Sequence, residues 1–316
     1  MAAPPPLSFV IPAFNAAATV GATLESIWAG APALTALGAP ETIVVDDGSD
    51  DGERLAAVLA RFPGARLLKH PRNRGMCAAR NTGIFASSGE VVAILDADDV
   101  LTPAWPAAFR ALLEEWPAGA GVCFSACRDG AGRPTVARPG YLGPMTLDDA
   151  LTERLAGEYM PLFRGDYIRA RGYVDLGLRR SCGTVSYLTL LHDGPFQVTP
   201  RTLRIYHAGR AGSVSGDLAE PAKAAEAARC AEAVLARFGS LYAARAPAVY
   251  RGMRLRHALY KRLAGEPGAL RAWARALSWR GALPAAAALV AMALGGSAVT
   301  LGLKLAKALG LVKRYG

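Results

Sequence analysis

Apolar residues in the first third of this chain come in short runs, each ending in proline, acid or glycine. LSFVIP (Leu7 to Pro12) is the first. TIVVDDGSDDG (Thr42 to Gly52) is the second, and ARLLKH (Ala65 to His70) the third. The fourth, VVAILDADDV (Val91 to Val100), is the most informative. Runs of this length, rich in Val and Ile, read as strands buried on both faces. Between them the apolar spacing becomes helical: Asn15 to Trp28 through Val20, Leu24 and Ile27, then Leu55 to Phe62, then Asn73 to Ala86. Strands alternating with helices predict a parallel, doubly wound sheet. Right-handed crossovers bring the C-terminal ends of all four strands to one edge, where ligands of open α/β sheets bind.

Two acidic clusters fall on that edge, Asp46-Asp47 and Asp96, Asp98, Asp99. A buried strand cannot hold three carboxylates in its interior, because unpaired charge is too costly to desolvate. The fourth strand therefore ends here, at a surface that offers something positive. In extended chain, side chains at i and i+2 point the same way, so Asp96 and Asp98 converge on one cation. Hard oxygen ligands suit Mg²⁺ or Mn²⁺, often held by one or two carboxylates plus substrate phosphates. The same residues would also serve as a solvated acidic turn capping a helix that begins near Pro103.

Further on, the pattern predicts a helix over Ala104 to Trp116 and a strand over Gly121 to Cys127. Gly130 to Gly143 reads as a loop or hairpin. Thr146 to Leu155 reads as a helix opened by a Thr-x-x-Asp box. Tyr159-Met160-Pro161 reads as a bend, and PFQVTP with TLRIYH (Pro195 to His207) as a short strand pair. From about Asp217 the chain is helical and rich in Ala and Arg, with no repeat of fixed period.

The net charge of +10 changes the picture only at the C-terminus. Residues 245–316 carry 13 Lys and Arg against one acid, Glu266. Gly281 to Leu303 is 23 residues without a charge, rich in Ala and Gly, with basic residues on both flanks. A single span normally shows a one-sided basic bias, so the expectation is helix at an anionic membrane interface, with a buried bundle as the plain alternative. Nucleic acid is not expected as a partner. Five scattered cysteines give no disulfide framework and predict a reducing compartment. MAAPPPLSFVIP lacks a basic segment before its apolar run, so no secretory signal is expected.

Taken together, FVIPAFN, IVVDDGSDDG, NRGMCAARNTGI and ILDADD stand in the order and spacing of family 2 glycosyltransferases. The resemblance is strong over residues 7–110 and continues weakly to about 215 through ARGYVDLGLRR and RIYHAGRAGSVSG. It implies a GT-A-type doubly wound, mostly parallel α/β sheet with a helical C-terminal extension. The expected division is a transferase domain over residues 1–215 and a basic helical region over 216–316. It implies transfer of a sugar from a nucleotide-diphosphate donor, with inversion, to a glycan or lipid-linked acceptor on the cytoplasmic face of the cell membrane.

The resemblance also assigns residues. Pro12, Ala13, Phe14 and Asn15 would line the nucleotide pocket, with Asp46 and Asp47 at the base or ribose. Asn73, Gly75, Arg80 and Asn81 would border the donor, Arg80 near the diphosphate. Asp96 and Ala97 would face the ribose or metal shell, and Asp98, with Asp96, would hold the metal. His207 and Arg210 match a segment near the active site. One departure concerns the general base. In the family it belongs to a Glu-Asp pair after a Gly-Phe-Asp-like segment. Here GYVDLGLRRSCGTVSYL carries Cys182-Gly183 at that place, and neither residue does that work. Glu158, Asp166, Asp175 and Asp193 are the nearest carboxylates, with Glu158 and Asp193 the candidates for the base. A donor-binding protein without a base is the non-enzymatic alternative. A sugar nucleotidyltransferase is the rival enzyme, but FVIPAFNAAATV lacks its glycine-rich phosphate loop.

Overall fold

A computed structural model describes residues 6–34, 38–179, 182–207 and 220–276. Two compact units arise, one from Met1–Ala150 with Arg154–Ala208, the other from Leu151–Glu153 with Gly209–Gly316. The first unit opens with β1 (Leu7–Ala13), α1 (Val20–Gly30), β2 (Glu41–Asp46), α2 (Gly52–Leu59), β3 (Ala65–Lys69), α3 (Met76–Ala86) and β4 (Val91–Ile94). It continues through β5 (Val100–Leu101), α4 (Trp105–Glu115), β6 (Val122–Asp129), β7 (Gly143–Met145), α5 (Leu147–Leu151), β8 (Tyr159–Arg164), α6 (Gly165–Arg169), α7 (Gly183–Leu191) and β9 (Phe196–Tyr206). Among the described residues the strands form one sheet in the order β3-β2-β1-β4-β8-β6-β9-β5, with β7 paired to β9.

The four apolar runs are the parallel half of the sheet, β1 to β4. Both faces of β1 are buried. Leu7, Phe9 and Ile11 enter one cluster with Trp105, and Val10 enters the other with Ile84. Phe9 meets the Trp105 ring edge-on at 5.4 Å. Each such buried side chain contributes roughly 1.5–3 kcal/mol. Helix α3 lies so close to β1 that a Cβ on Gly83 would sit 2.3 Å from Val10 Cγ1.

Several boundaries move. Helix α1 begins at Val20, because Asn15 adopts a left-handed φ of 51° and the chain turns again at Ala16, whose carbonyl accepts from Thr19 and Val20. Helix α3 begins at Met76, because Gly75 has φ 98°. The expected bend at Tyr159-Met160-Pro161 is instead the start of β8, a strand antiparallel to both β4 and β6. Pro161 reads as a breaker, but the apolar run through Leu162 and Phe163 carries the strand into the core. The expected strand pair is a single strand, β9. It shifts register against β6 opposite Ser125 to Cys127, where Pro200 has no N–H to give the ladder. The Thr-x-x-Asp box forms, with Thr146 N and Oγ1 both 2.9 Å from Asp149 Oδ2, but its helix ends at Leu151 instead of Leu155.

The second unit holds α8 (Pro221–Arg245), α9 (Pro247–Leu263) and α10 (Ala269–Ala276). Ala224 and Leu263 form its small core, with Leu259 against them. None of the described helices is long and apolar enough to cross a membrane. The uncharged stretch 281–303 lies outside the described residues, as does Arg210.

Candidate active site

The loops after β1 and β2 are laced together at the C-terminal sheet edge. Asn15 is the knot. Its amide donates to Ser49 Oγ at 2.9 Å, its Oδ1 accepts from Asp50 N at 2.8 Å, and its Nδ2 donates to Asp50 Oδ2 at 3.1 Å. Pro12 is partly exposed, Ala13 is buried, and Phe14 is 44% exposed beside this knot. Asp46, in register with Ala13, is buried and accepts from Ser49 N at 2.9 Å.

Asp47 turns inward instead of toward a donor. Its carboxylate accepts from Arg74 N at 2.9 Å and Gly75 N at 2.8 Å, and lies 2.6 Å from His70 Nδ1. His70 Nε2 meets Thr82 Oγ1 at 2.9 Å. Asp47 therefore fixes the loop that leads into α3. Asn73 caps the same loop, accepting from Gly75 N at 3.1 Å.

Beyond β4 the acidic run builds the centre of the site. Thr19 Oγ1 donates to the Ala97 carbonyl and Thr23 Oγ1 to the Asp99 carbonyl, each at 2.7 Å. These bonds hold the turn open toward the edge. Ala97 itself is buried in the core and its carbonyl accepts from Thr19. Asp96 sits between two guanidinium groups: Oδ1 is 3.1 Å from Arg80 Nη2, and Oδ2 is 3.4 Å from Arg204 Nη1. Arg204 Nη1 is also 3.1 Å from Asp99 Oδ2, and Arg204 Nη2 is 3.7 Å from Glu158 Oε2. Arg204 further donates to the Tyr159 carbonyl at 3.2 Å and to Cys127 Sγ at 3.3 Å. Each arginine rests on a ring, Arg80 on Tyr173 at 5.3 Å and Arg204 on Tyr206 at 5.4 Å. Asp99 Oδ1 accepts from His207 N at 2.8 Å, with His207 Nδ1 3.8 Å away.

Negative charge is in surplus here. Asp96, Asp99 and Glu158 face Arg204, Asp96 also meets Arg80, and Asp98 adds its charge beside Asp99. Burial pushes Asp99 up to about 7, and Asp96 and Asp98 add to the rise against the pull of Arg204. Glu158, whose side chain is 45% exposed, is pushed above the usual carboxylate range by partial desolvation, with Asp96 adding to it and Arg204 opposing. Asp96 is also buried, but Arg80 and Arg204 hold it below that range.

Such a surplus suits a divalent cation. No group of three or more His, Cys, Asp or Glu among the described residues could hold a metal by itself. Both Asp96 oxygens face guanidinium groups, at 3.1 and 3.4 Å, and each keeps a further lone pair for the expected cation. Asp98, half-buried, stands two residues on. One carboxylate completed by phosphate oxygens is an ordinary Mg²⁺ arrangement, so the residues fit an ion shared with a phosphate-bearing ligand.

The two candidate bases separate. Glu158 precedes β8, whose antiparallel run puts its start beside the end of β4, and it joins the Arg204 cluster. Asp193 does not come near. It bonds Arg171 Nε at 2.6 Å and Tyr167 OH at 3.3 Å, in the segment that follows Arg164. Arg164 pairs with Val91, at the start of β4. Five extended residues separate Val91 from Asp96, about 16 Å at roughly 3.3 Å each. Asp193 thus lies toward the opposite sheet edge. Asp175 closes a local turn onto Gly177 N at 2.9 Å. Cys182 is buried at the N-cap of α7 and Gly183 is its first residue.

Asn81 is also reassigned. Its Oδ1 accepts from Tyr173 N at 2.6 Å and its Nδ2 donates to Tyr173 O at 2.9 Å. It holds the segment whose ring supports Arg80. Asn81→Ala should cost about 1–3 kcal/mol, because two backbone groups lose their partner; urea unfolding measures it, and an unchanged midpoint would count against the clamp. Arg204 has no place in the sequence expectations. Its signal was an arginine within TLRIYH, a strand that could satisfy a buried guanidinium only with carboxylates from elsewhere.

The sequence matches the family described as glycosyl transferase family 2 over residues 8–165. It is 39% identical over 99 residues to the succinoglycan biosynthesis protein ExoO of Rhizobium meliloti (strain 1021), covering 31% of this chain and 27% of that protein. It is 31% identical over 94 residues to the UDP-Glc:alpha-D-GlcNAc-diphosphoundecaprenol beta-1,3-glucosyltransferase WfgD of Escherichia coli, covering 30% of this chain and 35% of that one. The chain thus spans about a third or less of the length of these relatives. Among solved structures, TarS 1-349 of S. aureus in complex with UDP-GlcNAc aligns with TM-score 0.54 and 14% identity, over 90% of this chain and 80% of that one. The mannosyltransferase PcManGT from Pyrobaculum calidifontis, in complex with GDP-Man and Mn2+, aligns with TM-score 0.52 and 19% identity, over 99% and 82%. At these identities the likeness is one of fold.

Proposed function

The chain belongs to glycosyl transferase family 2, and we propose that it moves a sugar from a nucleoside-diphosphate donor to a glycan or lipid-linked acceptor, inverting the anomeric carbon. The observation that carries this reading is the carboxylate and guanidinium cluster at the ends of β4, β8 and β9. A diphosphate leaves readily only when its charge is offset. Mg²⁺ or Mn²⁺, when bound, would supply that offset. Asp98 would hold the ion together with phosphate oxygens. Asp46, Phe14 and the Asn15 knot would form the nucleoside wall. Arg80 would act indirectly, by fixing Asp96 toward the ribose.

Inversion requires a base on the sugar face opposite the diphosphate. Glu158 is our candidate for it: its affinity for a proton is raised above that of an ordinary carboxylate, and it is partly open to solvent. Asp193 is not, since it belongs to a different sheet edge. The donor-binding alternative rests on Cys182-Gly183. A screen of UDP-, GDP- and other nucleotide sugars with Mn²⁺, reading both binding and nucleotide release, tests the proposal. Binding without release for any acceptor would favour the alternative.

WfgD's name specifies a diphosphoundecaprenol acceptor, which supports a lipid-linked acceptor here. We assign transfer to the first unit and attachment to the cytoplasmic membrane face to the basic C-terminal region. Helix α9 alone carries Arg251, Arg254, Arg256, Lys261 and Arg262 without an acid. The full chain should cosediment with phosphatidylglycerol vesicles at low salt and be released at about 1 M, where the Debye length falls to about 3 Å. No cosedimentation at low salt would remove the membrane from the reading.

A further inference from the structure

Arg204 meets the carboxylates after β4, Asp96 and Asp99, and the one before β8, Glu158. We propose that it is a positioning residue for Glu158, holding that carboxylate in register with Asp96 and Asp99 through a single guanidinium. This rests on the reading of Glu158 as the base. Three observations carry it. Arg204 is only 3% exposed, so its fork is held by the surrounding core. Its Nη1 faces Asp99 at 3.1 Å and Asp96 at 3.4 Å, while its Nη2 faces Glu158 at 3.7 Å and the neighbouring Tyr159 carbonyl at 3.2 Å. Its Nε meets Cys127 Sγ at 3.3 Å, and its plane faces the Tyr206 ring, so rotation about the side chain is blocked.

The chemistry requires arginine. A guanidinium presents donors in a rigid planar fork, whereas an ammonium is a point charge on a flexible stem. The fork donates to Asp96 Oδ2, Tyr159 O and Cys127 Sγ and pairs by charge with Asp99 and Glu158; lysine would neutralise charge but could not meet these groups at once. Glu158 is the most exposed carboxylate of the set, at 45%, so it has the most freedom to lose. The bond from Arg204 to the Tyr159 carbonyl fixes the backbone next to it.

The test uses the full chain labelled with ¹³C-glutamate, with the Glu158 carboxyl signal identified by its loss in Glu158→Gln. In Arg204→Gln the Glu158 midpoint should rise by about one pH unit, because a cation that favours the carboxylate is gone. Arg204→Lys, which keeps the charge, should show a smaller rise and guards against a failure of Arg204→Gln to fold. Nucleotide release from the sugar nucleotide that the screen finds active should fall about 10- to 100-fold in kcat for Arg204→Lys, with donor KM nearly unchanged, as for a reacting group misplaced by about an ångström. An unmoved Glu158 midpoint in the folded variants overturns the proposal, whatever the turnover. A midpoint that follows Arg204 while Glu158→Gln leaves turnover intact supports the contact and removes Glu158 as base.

Discussion

Asp98→Ala should lower sugar transfer by about 10²–10³-fold, the usual loss when a stabiliser of developing charge is removed. It should also abolish the dependence of nucleoside-diphosphate binding on Mn²⁺. Four carboxylates gather with two guanidinium groups at the sheet edge, and burial together with Asp96 and Asp98 raises Asp99 to about 7. A diphosphate brings further negative charge to a site that already has too much. A divalent cation makes the two compatible, and Asp98 is the acid of the run that our reading gives to that ion. Asp96→Ala should behave differently. It leaves Arg80 and Arg204 buried with less compensation, so the loss should appear in folding stability as well as in transfer. Calorimetry with UDP or GDP, with Mn²⁺ and with EDTA, separates these outcomes. Equal affinity in both conditions for the unmodified chain would end the metal assignment.

The parallel half of the sheet was legible because its signals are local. Each run from β1 to β4 is apolar throughout, and each ends in residues that cannot continue a buried strand. The acids at the edge followed from the same logic, since desolvation forbids them inside. The antiparallel half was not legible in this way. Strand β8 contains Pro161, and β9 contains Pro200, so both read as interrupted. Their continuity comes from partners distant in sequence: Phe124 opposite Pro161, and the shifted stretch of β6 beside Pro200. Arg204 was hidden for the same reason, since its carboxylate partners lie between 46 and 108 residues away. Asp47 and Asn81 show the converse. The motif gives them to donor-side segments, and their oxygens accept from backbone amides of this chain. A motif records which residues the site requires. It does not say which of them hold the loops that hold the ligand.

Glu158→Gln should cost about 10²–10⁴-fold in kcat, the range for general-base assistance, and should leave donor binding nearly intact. The amide fills the same space beside Arg204 but has no affinity for the acceptor's proton. The pH dependence carries a sign. A base works only when ionised, and partial desolvation raises the Glu158 midpoint above the usual carboxylate value, with Asp96 adding to the rise. Transfer by the unmodified chain should therefore increase as pH rises through that midpoint and then level off. In Glu158→Gln this acid limb should vanish and the remaining rate should be flat across the same window. Asp193→Asn is the control. Asp193 bonds Arg171 and Tyr167 toward the far edge of the sheet, so its loss should change transfer by less than about twofold, within the spread of ordinary surface substitutions. Cys182→Ala should be equally quiet in transfer, because burial at the N-cap of α7 keeps its thiol from an acceptor. An unchanged kcat with its acid limb intact in Glu158→Gln, together with a large loss in Asp193→Asn, would reverse the assignment. Steady-state nucleotide release between about pH 5 and 9, measured on all three variants with one donor, decides between them.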